Sequence, residues 1–261
     1  MSRDALPTPG FARSLRESER TLVGTWVKLP SVETVEILAI AGIDFVVIDL
    51  EHAPLDLQTA YTATVVAQAH GMSVLARVPD RSGSHLQRLL DSGVDGILVP
   101  RVSTPAEAAA AAAGMTFSPG GERGNGTTSR AGRWGAVSRS AYLARGDDVL
   151  RAVQLEDRGS LEHVEEILGV PHLGGVFLGM GDLQLSSGLD EHDPVLQALV
   201  DGLLDSARRR SLPVGTAVAN AEQAEAAARR GFAFVMVGND AGLLRQAATD
   251  LVTDVHRRIG G

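Results

Sequence analysis

The chain has 261 residues, 44% of them hydrophobic but only 4% aromatic, and a formal net charge of −8. Its length and apolar content allow one large aliphatic core, while an acidic balance with no basic run argues against nucleic acid or an anionic membrane as partner. The absence of cysteine excludes disulfides and thiolate sites, no apolar run approaches the roughly 18 residues of a membrane span, and Met1 to Leu22 hold no signal-peptide core, so a soluble, cytoplasmic protein is expected.

Short β-type runs alternate with helical patterns along the chain. After an N-terminal extension (1–21) expected to cap the fold, strand Leu22–Leu29 leads to helix Val32–Ala41, and Phe45–Leu50 leads to Leu57–His70. Ser73–Val78 precedes Ser84–Ser92, and Gly96–Pro100 precedes Pro105–Met115. Leu150–Leu155 precedes Ser160–Leu168, Gly174–Leu178 precedes Pro194–Arg210, Val214–Val218 precedes Ala221–Arg230, and Phe232–Val237 precedes Ala241–Arg258. Most strands lack polar alternation, as strands buried on both faces do. Eight βα units in one domain of this length give a (β/α)8 TIM barrel. The alternative is an open doubly wound sheet, but no Gly-x-Gly-x-x-Gly follows the first strand. Gly42, Gly71, Gly93, Gly114, Gly169 and Gly231 stand where helical patterns stop. The longest irregular segment, Phe117 to Asp148, is rich in Gly, Ser and Arg.

In such a barrel the reacting groups gather where strands end. Those ends carry Lys28, then Asp49, Glu51 and His52, then Arg77, then Gln154 and Glu156, then Gly179-Met180-Gly181-Asp182, and finally Asn220, Asn239 and Asp240. Glu156 and Asp182 follow neighbouring strands. Two such carboxylates repel unless a cation lies between them, and oxygen ligands favour Mg2+ or Mn2+, with Co2+ admissible. The glycines around Met180 allow close backbone approach to a ligand carboxylate. Arg77 closes an apolar strand, and its planar fork suits carboxylate or enolate oxygens; a salt bridge to a strand-end acid is the other reading. His52 is a candidate acid/base because imidazole titrates near neutrality. The other histidines fall on helices or loops, and Asp91 by itself reads as a solvated helix acid.

Four blocks in register resemble the HpcH/HpaI family of metal-dependent, class II pyruvate aldolases: Asp49-Leu50-Glu51-His52-Ala53-Pro54, Arg77-Val78-Pro79, Val153-Gln154-Leu155-Glu156 and Gly179-Met180-Gly181-Asp182-Leu183. The resemblance runs from Gly24 to about Asp240 and includes Arg123-Gly124, which the family places near the active site. It implies a pyruvate-type barrel in which Glu156 and Asp182 bind the metal. Arg77, Gln154 and the amides of Gly181 and Asp182 would contact the 2-oxo acid. His52 would be the general acid/base, Asp91 would pair with it, and Asp49 and Glu51 would organise the metal waters and the base. Met180-Gly181 departs from the family's usual Pro and small residue before the ligand Asp.

The resemblance further implies reversible retro-aldol cleavage of a 4-hydroxy-2-oxo acid to pyruvate or hydroxypyruvate and an aldehyde. No organic cofactor is called for, and a homo-oligomer, a hexamer built as a trimer of dimers, is implied. The acceptor pocket is expected to involve the Phe117–Asp148 segment and the loops after strands 7 and 8, with another subunit as a further contributor. Three alternatives stay open here: a Lys28 Schiff base, an acyl-CoA lyase of the citramalyl or malyl type, and a non-catalytic barrel that binds a 2-oxo acid.

Overall fold

Eight parallel strands close into a barrel in sequence order, the last pairing with the first, in the computed structural model of the chain, which describes residues 10–81 and 83–260. Helix α1 (Phe11–Glu17) precedes β1 (Leu22–Val27), α2 (Val32–Ile40), β2 (Phe45–Asp49), α3 (Leu57–Ala69), β3 (Ser73–Arg77), α4 (Gly83–Ser92), β4 (Gly96–Val99) and α5 (Pro105–Met115). Then follow a 3-10 turn (Arg133–Gly135), α6 (Arg139–Asp147), β5 (Leu150–Leu155), α7 (Arg158–Glu162), α8 (Val164–Leu168), β6 (Gly175–Leu178), α9 (Met180–Ser187), α10 (Pro194–Arg209), β7 (Val214–Val218), α11 (Ala221–Arg230), β8 (Phe234–Asn239) and α12 (Asp240–Ile259). The (β/α)8 expectation holds, and the open sheet is excluded by the β1–β8 pairing. No helix among the described residues is long and apolar enough to cross a membrane.

The strands are apolar on both faces because both faces are covered. Val46, Ile48, Val74, Ala76, Ile97 and Val153 point outward into the layer beneath the helices. Phe45, Val47, Leu75, Leu98, Ala152, Phe177 and Phe234 alternate with them and fill the barrel interior. Interior glycines make the room for the rings. A Cβ on Gly24 would lie 2.5 Å from the Phe45 ring, and one on Gly215 would lie 2.1 Å from the Phe234 ring. Phe11 of α1 closes the N-terminal end, its ring centroid 4.7 Å from that of Phe45 and 5.6 Å from that of Phe234.

Helix boundaries follow local chemistry. Ser31, Asp56 and Thr104 cap α2, α3 and α5, Thr104 forming a reciprocal capping box with Glu107. Gly42, Gly71, Gly93 and Gly231 take left-handed φ values of +87°, +80°, +87° and +106° beyond their helices. Gly114 corrects the expectation, since it lies inside α5 and Thr116 ends that helix. The Ser160–Leu168 pattern divides into α7 and α8 around His163. Asn220 and Asn239 are helix N-caps, their side chains accepting from the Gln223 and Gly242 amides.

One segment differs more substantially from expectation. Phe117–Asp148 is not an unstructured loop, because it contains the 3-10 turn and α6. It also joins a helix end to a strand start, so it lies at the N-terminal face of the barrel, opposite the strand ends that carry the polar residues. The Ala131 amide binds the Asp91 carbonyl (3.1 Å) and Arg130 binds the Ser92 carbonyl (3.1 Å), which holds the segment against the end of α4. Helix α12 is fixed at its start, where buried Asp240 accepts from the amides of Lys28 (2.9 Å) and Leu29 (3.0 Å). Beyond that turn Leu244, Leu251, Val252 and Ile259 are each more than half exposed.

Candidate active site at the C-terminal mouth

The site is the top rung of the interior ladder. Every second residue of a strand faces inward, so Phe45 and Val47 lead to Asp49, Leu75 leads to Arg77, Ala152 leads to Gln154, and Trp26 leads toward Lys28. Asp49 and Arg77 are the last residues of β2 and β3 and stand in register as direct neighbours. That register produces a two-pronged ion pair: Arg77 Nε donates to Asp49 Oδ1 (2.9 Å) and Nη2 to Oδ2 (2.7 Å). Lys28 Nζ donates to Oδ2 from the other side (2.5 Å). The Glu51 and His52 amides donate to Oδ1 at 3.2 and 3.1 Å. Burial works against ionising Asp49, but Arg77, Lys28 and the His52 amide outweigh it and hold the carboxyl well below the usual carboxylate range.

Asp49 therefore anchors Arg77 and the loop that carries His52. Both of its oxygens are taken up by these partners. Arg77 lies with its guanidinium carbon 4.1 Å from the Trp26 ring centroid. Its remaining nitrogen, Nη1, is 3.5 Å from Glu51 Oε2. Lys28 is engaged by a buried carboxylate, the opposite of the apolar or cationic surroundings that activate a Schiff-base amine.

Glu156 follows β5 directly and is buried, 6% exposed. Its Oε1 accepts from the Arg101 amide (2.7 Å), and its Oε2 accepts from Gln154 Nε2. Burial raises its pKa, and the charges of Asp182 and Glu51 raise it further against the opposing Arg101 amide. The strongest charge effects on it thus come from two acids. Asp182 is exposed in the first turn of α9, which starts at Gly179 without a side-chain cap. Gly179 has to be glycine. A Cβ there would lie 2.8 Å from Glu156 Cβ and 2.9 Å from Gln154 Nε2. Gly181 is open, with nothing near a notional Cβ.

These features fit a divalent ion. Gln154 Oε1 is buried and without a hydrogen-bond partner, an orphan acceptor beside Glu156. Among the described residues no three acidic or imidazole side chains converge as an all-protein metal cage. Two carboxylates with room around them suit an ion that keeps several waters or a chelating substrate.

His52 is largely exposed, and its Nε2 is 3.7 Å from Glu51 Oε2. Within one chain Asp91 does not reach it. Asp91 sits at the end of α4, at the N-terminal face, where it accepts from Gln87 Nε2 (2.7 Å) and lies 3.6 Å from Arg123 Nη2. Arg123 is buried there over the Phe117 ring (4.2 Å) and is likewise remote from the mouth of its own chain. A barrel strand of about six residues, roughly 20 Å long, separates the two faces.

Sequence reasoning missed Arg101. It follows β4 by two residues, has a left-handed φ of 55°, and places its Nη2 3.3 Å from Glu51 Oε1. Its position after Pro100 at a strand end was the available signal.

Residues 22–247 match the family model described as HpcH/HpaI aldolase/citrate lyase. The chain is 32% identical over 246 residues to a hydroxypyruvate/pyruvate aldolase of Sagittula stellata, covering 93% of this chain and 96% of that one. It is 35% identical to a 4-hydroxy-2-oxovalerate aldolase of Rhodococcus jostii, covering 94% and 95%. A crystal structure of an HpcH/HpaI aldolase/citrate lyase family protein from Burkholderia cenocepacia superposes with a TM-score of 0.87 at 29% identity, covering 94% and 98%.

Proposed function

Because the chain belongs to the HpcH/HpaI aldolase/citrate lyase family, we propose that it is a divalent-metal-dependent pyruvate aldolase that cleaves and forms 4-hydroxy-2-oxo acids. The observation that carries the metal assignment is Glu156, a buried carboxylate whose charged neighbours Asp182 and Glu51 are also acids. Glu156 and Asp182 would hold the ion, Mg2+ or Mn2+. When bound, it supplies Lewis-acid stabilisation of the enolate of pyruvate or hydroxypyruvate.

The protein's own groups do the rest. Arg77 is rigidly aimed by Asp49 and Trp26, and its Nη1 offers positive charge at the mouth where enolate charge develops. Gln154, by turning its Nε2 from Glu156 to the ligand, and the uncapped amides at the start of α9 would donate to the oxygens of the 2-oxo acid. His52, exposed beside Glu51, moves the proton at the aldehyde-derived hydroxyl.

Self-association belongs to the same reading. The exposed apolar residues of α12 suit a second copy of the chain, and Asp91 can orient His52 only from another protomer, because the two occupy opposite ends of one barrel.

The test is proton exchange at the pyruvate methyl group in deuterated water, with and without Mn2+, followed by an aldehyde panel read by product mass. Metal-dependent exchange and short-chain aldol products are expected. Absence of exchange above background, with metal present and the protein folded, refutes the aldolase reading.

A further inference from the structure

We infer that Arg101 determines acceptor specificity by receiving the anionic end of the aldehyde half. The inference rests on the aldolase reading above and extends it to a substrate class, aldehydes ending in a carboxylate.

Arg101 is held in a conformation that a non-glycine residue adopts at a cost. Its φ of 55° is left-handed. Three contacts fix that backbone and side chain: the amide donates to Glu156 Oε1 (2.7 Å), the carbonyl accepts from Arg81 Nη1 (3.2 Å), and Nη2 donates to the Pro79 carbonyl (3.1 Å). Strain that neighbours over-determine in this way collects at functional sites.

The outcome of that turn is a guanidinium standing at the rim, its side chain 65% exposed. Nη2 makes both of its contacts, and among the described residues Nε and Nη1 make no hydrogen bond, so part of the fork remains free for a carboxylate.

Location supplies the rest of the argument. Glu51 has two oxygens. Arg101 Nη2 lies 3.3 Å from Oε1, and His52 Nε2 lies 3.7 Å from Oε2. The guanidinium and the imidazole therefore flank one carboxylate. An aldol whose hydroxyl meets His52 extends its far end, across a spacer of a few carbons, toward Arg101. A neutral end gains nothing there, whereas an anionic end finds a charge-assisted, planar partner.

The test compares succinic semialdehyde with butanal as acceptors for pyruvate, using the metal-loaded protein, Arg101→Met and Arg101→Lys. The readout is the ratio of kcat/KM for the two aldehydes, with pyruvate methyl exchange measured in parallel. The parent is expected to prefer succinic semialdehyde by about tenfold or more. Arg101→Met should bring the ratio near unity while exchange continues, and Arg101→Lys should retain part of the preference. A parent without preference, or an Arg101→Met variant that keeps the parent's ratio, overturns the assignment while leaving the aldolase reading intact. Absence of exchange in the parent overturns both.

Discussion

Replacing Glu156 by Gln should make the metal-free protein more stable and the metal-loaded protein no better than the metal-free one. Glu156 is buried, and burial together with Asp182 and Glu51 raises its pKa. A carboxyl raised in the native state binds its proton more tightly folded than unfolded. Its ionised form therefore destabilises the fold, fully above the raised native value and not at all below the ordinary carboxyl range of about 4.3. Gln removes that charge without changing shape. Its carbonyl can still accept from the Arg101 amide, and its NH2 can donate to Gln154 Oε1, which is unpartnered in the parent, after a flip of the Gln154 amide. In the parent, an ion at about 100 times its Kd adds about 2.7 kcal/mol. For a chain of this size each kcal/mol moves Tm by about 2–4 °C, so metal should raise Tm by about 5–10 °C. Thermal melts with chelator and with Mn2+, from pH 4 to pH 8, check this. The metal-free Gln variant should melt higher than the parent at pH 8, the difference should fade toward pH 4, and the Mn2+ response should vanish. A variant that keeps the full Mn2+ response, or melts lower than the parent without metal at pH 8, refutes the reasoning.

Three further outcomes are expected. Asp49→Asn leaves Arg77 and Lys28 without their buried counter-ion and should cost about 3–5 kcal/mol; because the native pKa of Asp49 is depressed, urea midpoints should show the full gap from neutral pH to about pH 4 and a closing gap only in stronger acid. Phe11→Ala opens the floor of the barrel and should cost about 3–5 kcal/mol in urea unfolding, and a loss under 1 kcal/mol would mean α1 is not a structural plug. Gly179→Ala pushes a methyl against Glu156 and Gln154; metal affinity by calorimetry should fall about 10–100-fold with the circular dichroism spectrum unchanged, and unaltered affinity would place the ion elsewhere.

The barrel was legible because most strands are short apolar runs between turn signals, and most helices carry a side-chain cap or a stop glycine. The ion-paired core of the mouth was legible too, since Asp49 and Arg77 are polar endings to apolar strands. What stayed hidden has physical reasons. Helix α6 (RSAYLARGD) is mostly polar, buries Tyr142 and Gly146, and so lacks an apolar stripe. Arg101 acts through a left-handed backbone that only tertiary contacts impose. The placement of Asp91 and Phe117–Asp148 within one chain follows from topology instead. A parallel barrel sends every helix-to-strand connection to the N-terminal face, so the strand order already implied that both lie away from the mouth.

Lys28 is the single lysine of the sequence, and its amine lies inside the reaction vestibule, engaged by an acid at the barrel's centre. Acylating reagents that label primary amines therefore have one side-chain target here, and its ion pair with Asp49 holds it in the form that does not react.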